Sequence, residues 1–112
     1  MLGIALGLFT ITALIGVALA TAVFKERRSS KALQFFHVCT ALVGSVLVIV
    51  DAFTGDVRVW IDIGLAVVII ALGIYLGFQR AHGLHPKRLV VVHGGLAVIC
   101  YLILAYFVFV PR

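Results

Sequence analysis

Residues 59–78 read VWIDIGLAVVIIALGIYLGF, twenty positions with a single charged side chain, Asp62. A helix of that length advances about 30 Å at roughly 1.5 Å per residue, which is the thickness of a bilayer's hydrocarbon core. The run has no period-2 alternation and is about twice as long as a membrane β-strand, so a barrel is disfavoured. Inside hydrocarbon the backbone must satisfy its own hydrogen bonds, which makes the run a helix.

Three more runs of the same kind lie at about 2–24, 32–50 and 89–110. The 112 residues are 64% hydrophobic and 12% charged. A soluble domain is roughly half apolar and a quarter charged, and a chain this short could not bury the excess in a core of its own. The solvent is therefore lipid. The connectors, 25–31, 51–58 and 79–88, are short, and short connectors make successive helices antiparallel. The expected fold is all-α: one four-helix transmembrane domain over 1–112, an up-down-up-down bundle. The halves 1–56 and 57–112 are each a hairpin with a basic connector, a weak similarity that is not read as a repeat.

Charge gives the orientation. Lys25, Arg27, Arg28 and Lys31 follow the first run and Arg80, Lys87 and Arg88 follow the third, so one side holds seven of the nine Lys and Arg. The positive-inside rule puts that side in the cytoplasm and both termini outside, as in a bacterial cytoplasmic membrane. The net charge of +5 is thus mainly a topology signal. It can attract anionic lipid headgroups, and it does not make the chain a nucleic-acid binder. Ala18-Leu19-Ala20 resembles a cleavage site, but no Lys or Arg precedes the first run and four follow it. That is the reverse of a secretory signal, so the first helix is expected to stay.

Ionisable groups within a membrane are costly and are functional candidates by default. Here they are His37, His93 and Asp62. His37 lies six residues beyond Lys31 and His93 five beyond Arg88, on two helices that start from the same side. Their depths therefore agree to within about a turn. In an up-down bundle the second and fourth helices are diagonal, with axes roughly 11–14 Å apart if neighbours are about 8–10 Å apart. That gap is too wide for two imidazoles to pack directly. It suits two imidazoles reaching inward to one metal with a planar ring system between them, the way a b-type haem is held between helices. Small residues near the same level could leave room for a macrocycle: Gly16, Ala20, Ala41, Gly44, Gly73, Gly77 and Ala97. Arg27, Arg28, Lys31, Lys87 and Arg88 are cations within reach of the propionates.

On the helix count and the pair His37/His93, the chain resembles the membrane b-type cytochromes, including those of cytochrome b561 type. The resemblance implies haem b clamped by transmembrane histidines, iron as the metal, and electron transfer with a quinol or a redox protein. Those families commonly bind two haems with four histidines. A single pair here implies one haem per chain.

Other residues take plainer readings. A histidine in a membrane helix is often a polar link to a neighbouring helix, and Gly3/Gly7, Gly16/Ala20 and Gly73/Gly77 are small-xxx-small contact pairs. Asp62 follows Arg58 by four residues and is expected to pair with it on one helix face. Asp51 and Asp56 are expected to edge the turn Phe53-Thr54-Gly55, with Trp60 and Tyr106 as interfacial anchors. His82 and His85 lie in a Gly/Pro turn with no further ligand beside them for a metal. Cys39 and Cys100 are expected to pack as small apolar residues. No Ser-His-Asp set, paired carboxylates or phosphate loop is visible, so hydrolase and transferase chemistry is not expected. Two other functions stand beside the haem protein: an accessory subunit of a larger membrane complex such as a respiratory one, and a small transporter or channel. A homodimer is also open through the Gly3/Gly7 stripe.

Overall fold

The computed structural model describes residues 1–111. Four helices account for nearly all of it: α1 (Leu2–Phe24), α2 (Lys31–Thr54), α3 (Trp60–Ala81) and α4 (Lys87–Phe109), with a 3-10 turn at Val57–Val59 before α3. All four are long and apolar enough to cross a membrane. The molecule measures 44 × 22 × 19 Å, its long axis close to a bilayer with its headgroup layers.

The helices run up, down, up and down. α1 packs on α2 and α4, and α3 packs on α4 and more lightly on α2, while the pairs α1/α3 and α2/α4 stay apart as diagonals. The histidine-bearing helices α2 and α4 are thus diagonal partners, as their order in the chain requires. The connectors Lys25, Arg27, Arg28 and Arg80 with Lys87 and Arg88 mark one end of the bundle, here called the basic end. Both termini and the α2–α3 connector mark the other.

Packing is thin inside and apolar outside. The buried cluster Ala5, Val48, Ala52, Val59 and Leu104 lies toward the terminal end, with Phe9, Leu47 and Phe107 against it. Large apolar residues such as Leu14, Phe35, Val67, Phe78, Val98 and Leu102 face outward. In water that surface would be an aggregation liability; in lipid it is the solvated face.

Helix ends depart from the sequence reading in informative ways. α2 continues a turn past residue 50, so Asp51 is helical and its carbonyl accepts from Gly55 N–H at 2.7 Å. Asp51 and Asp56 both edge the turn, Asp51 from the last turn of α2, where its carbonyl also accepts from Asp56 N–H at 3.1 Å, and Asp56 as the cap of the 3-10 turn. There is no helix breaker before Gly55, which explains the extension. Ser30 caps α2 by accepting from Leu33 N–H at 3.3 Å. α1 ends with Glu26 in a left-handed conformation, φ 53°, where Arg27 N–H bonds Ala22 O at 2.8 Å. The α3–α4 connector turns at Gly83, φ 77°, a conformation that glycine adopts without penalty.

Candidate functional site

His37 and His93 meet across the α2/α4 diagonal. Their ring centroids are 6.5 Å apart with the planes tilted by 56°. The rings come closer than the axis spacing alone suggests because both lean inward. Both side chains are half-buried within the bundle.

Each imidazole is fixed in the same way. His37 Nδ1 lies 2.9 Å from Thr12 O on α1, and His93 Nδ1 lies 2.9 Å from Ile69 O on α3. A carbonyl only accepts, so each Nδ1 carries the proton and donates it, leaving the Nε2 lone pair free. Neither Nε2 has a hydrogen-bond partner among the described residues. Backbone-tied Nδ1–H with an open Nε2 is the arrangement that orients a histidine for metal ligation.

Glycine makes each seat. A Cβ at Gly16 would stand 3.1 Å from His37 Cε1, and one at Gly73 would stand 3.0 Å from His93 Cε1. Each glycine is one turn beyond the accepting carbonyl on the same helix, so carbonyl and glycine form one face against the imidazole. The hairpin α1–α2 and the hairpin α3–α4 therefore carry the same unit: Thr12 O, Gly16 and His37 in one, Ile69 O, Gly73 and His93 in the other. The sequence carries the correspondence too. Lys31-x-Leu33-x-x-x-His37-x-x-x-Ala41 recurs as Lys87-x-Leu89-x-x-x-His93-x-x-x-Ala97, and Gly7, Gly16 and Leu19 match Gly64, Gly73 and Leu76. The two hairpins thus carry matching seats, although few other positions of the paired helices are identical.

The other small residues divide by role. Gly44 is buried under the Phe9 ring, whose Cζ lies 3.0 Å from where its Cβ would be, so it serves α1–α2 packing. Gly77 meets nothing within 4 Å. Ala20, Ala41 and Ala97 are half-buried along their helices. Polar links beside the histidines bind the bundle further: Thr12 to Thr40 at 2.6 Å between α1 and α2, and Thr10 to Tyr101 at 2.7 Å between α1 and α4.

At the basic end, Arg80 ties the two connectors together. It donates to Ser29 Oγ at 2.8 Å, to the Arg27 carbonyl and to Leu84 O at 3.0 Å, and its Nη1 is 2.7 Å from His85 Nδ1. His82 Nδ1 is engaged with Phe78 O at 2.8 Å. The connector histidines are thus local turn partners. Lys87 pairs with Glu26 at 3.2 Å. Arg27, Arg28, Lys31 and Arg88 carry no side-chain ion pair among the described residues. No group of three or more His, Cys, Asp and Glu suited to a metal occurs among the described residues, so a metal would rest on the two imidazoles and a ligand of its own.

The expected Arg58–Asp62 pair does not form. Arg58 instead binds Asp56 at 2.7 Å and lies over the Phe107 ring, 4.7 Å from its centroid. The 3-10 turn at Val57–Val59 is the cause: four residues across it do not return to one α-helical face. Asp62 is only 3% exposed, with Oδ1 3.7 Å from Cys100 Sγ and Oδ2 without a hydrogen-bond partner among the described residues. Cys39 and Cys100 are free thiols. Comparison with protein-family models, with curated proteins and with solved structures gives no match.

Proposed function

We propose that this chain is a membrane haem b protein in which His37 and His93 are the two axial ligands, and that it transfers electrons within the bilayer. The observation that carries this reading is the matched pair of imidazoles, each with Nδ1 tied to a backbone carbonyl and Nε2 open, at a centroid distance of 6.5 Å. Imidazoles on opposite sides of a first-row metal, each nitrogen about 2.0–2.1 Å from the ion, put their ring centroids roughly 6–6.5 Å apart. The observed centroid separation of 6.5 Å lies at that spacing, which supports the reading. The matching seats in the two hairpins add support, since two equivalent axial positions suit two equivalently held imidazoles.

When bound, haem supplies one-electron chemistry. The chain's own residues do the rest. Thr12 O and Ile69 O hold the tautomer, and Gly16 and Gly73 let the imidazoles lie against α1 and α3. The apolar helices keep water away and lower the local dielectric, which tunes the potential. Lys31 and Arg88, in the first turns of the two histidine-bearing helices, are the cations assigned to the propionates. Ala20, Ala41, Gly77 and Ala97 are the residues assigned to the macrocycle's flanks. By the positive-inside rule, the basic end faces the cytoplasm. A quinol or a redox protein is the exchange partner in this reading, as in the membrane b-type cytochromes it resembles.

A second reading has the histidines joining helices in an accessory subunit that holds no cofactor, and the same Nδ1–carbonyl bonds favour it. Haem titration of the purified chain distinguishes them. The haem reading expects saturation at one equivalent per chain, and His37→Ala and His93→Ala variants that no longer give a paired-histidine spectrum. Absence of saturable binding by the folded chain would leave the accessory reading.

A further inference from the structure

We propose that the α1–α2 seam at the basic end is a binding site for one anionic phospholipid. A groove of about 260 Å³ opens there between the end of α1 and the start of α2. Apolar Leu19, Ala22 and Leu33 line it together with the cations Lys25, Arg27 and Arg28 and three hydroxyl side chains. None of these three cations makes a side-chain ion pair or side-chain hydrogen bond among the described residues.

Nothing else at this end is left to neutralise them. Glu26 is the single acidic residue of the basic connectors, and Lys87 already holds it. The hydroxyls beside the cations are also committed, Ser29 to Arg80 and Ser30 to the cap of α2. The first turn of α2 contains no acidic residue, so the positive end of its dipole adds to the same unbalanced charge. A phosphate held by Arg27, Arg28 and Lys25 would offset part of it through charge-assisted hydrogen bonds. The apolar part of the lining suits a phosphate attached to an acyl chain, which would run down the α1–α2 surface between residues already facing lipid.

The comparison within the molecule sharpens the choice. A second groove of about 480 Å³ lies on the α1–α4 seam, lined by Phe24, Val91 and Val92 with Lys87 and Arg88. There one of the two cations is already paired with Glu26. Of the two, the α1–α2 groove is the one that combines apolar lining residues with a full set of uncompensated cations.

The test is native mass spectrometry of the full chain released from nanodiscs of equal phosphatidylglycerol and phosphatidylcholine. The proposal expects preferential retention of one phosphatidylglycerol per chain. Removing three cations near an anionic lipid, each contributing about 1 kcal/mol, should weaken retention by about a hundredfold in the variant Lys25→Gln, Arg27→Gln, Arg28→Gln. Ala18→Phe, which fills the groove from its exposed edge with every cation in place, should also release the lipid. Equal retention of the two lipids would overturn the proposal, as would undiminished phosphatidylglycerol in either variant. Displacement of the lipid by millimolar inorganic phosphate would assign a simple anion site and overturn it too.

Discussion

At the scale of single residues, the molecule is organised around two imidazoles and the atoms that hold them. The glycine seats give a sharp prediction. Gly16→Ala or Gly73→Ala places a Cβ near 3.0–3.1 Å from a Cε1, so the ring must move and haem retention should fall, read as haem per chain after purification. Gly3→Ala, with open space around it at the terminal end of α1, should leave that ratio unchanged. Loss of haem in all three would point to a general packing defect. Asp62 gives another. Its buried, unpartnered oxygen costs roughly 1–3 kcal/mol, and the matching position in the first half is the fully buried Ala5. Asp62→Ala should therefore fold with an unfolding midpoint in detergent no lower than the parent's. A clear drop would show that the carboxyl has a stabilising partner.

The histidines themselves were legible in the sequence, because an ionisable residue stands out in an apolar run and its depth can be counted from the flanking cations. Their partners were not. Thr12 O and Ile69 O are backbone carbonyls, and an acceptor present at every position leaves no mark in residue type. In the sequence Gly16 and Gly73 read as small residues that clear space around a macrocycle. Only the structure shows them seating the rings. The Arg58–Asp62 pair was misread because a 3-10 turn interrupts the helical spacing on which the i,i+4 argument depends.

At the scale of elements, the four spans follow from length and hydropathy, and their ends follow from local chemistry. Ser30 starts α2, and Gly55 is the first position where α2 can stop. The end of α1 is the exception, since Glu26 occupies a left-handed position that glycine usually takes. Left-handed backbone costs a side-chain-bearing residue about 1 kcal/mol. The Lys87 partner lost on substitution is an exposed pair of little consequence. Glu26→Gly should thus raise the thermal unfolding midpoint, followed by helical circular dichroism in detergent. A lower midpoint would mean that the Glu26–Lys87 link between connectors matters more than the backbone strain. The repeated unit of carbonyl, glycine and histidine belongs at this scale as well. Its mark in the sequence is the shared spacing of Lys31 to His37 and Lys87 to His93.

At the scale of the whole molecule, the chain is a thin bundle with an apolar outer surface, charge gathered at one end and apolar packing at the other. Seven cations on the two basic connectors should hold that end in the cytoplasm. A reporter fused after the last helix is expected to be active outside, and replacing the connector cations with Gln should scramble or invert it. A cytoplasmic reporter on the parent chain would refute the orientation. The central claim is the cofactor between the two hairpins, and the most direct measurement is the reduced-minus-oxidised optical spectrum of the full chain purified from haem-replete cells. The account predicts a Soret band with sharp α and β bands, lost or altered on replacing either His37 or His93 with Ala. A colourless, folded protein, or one whose spectrum survives both substitutions, would contradict it.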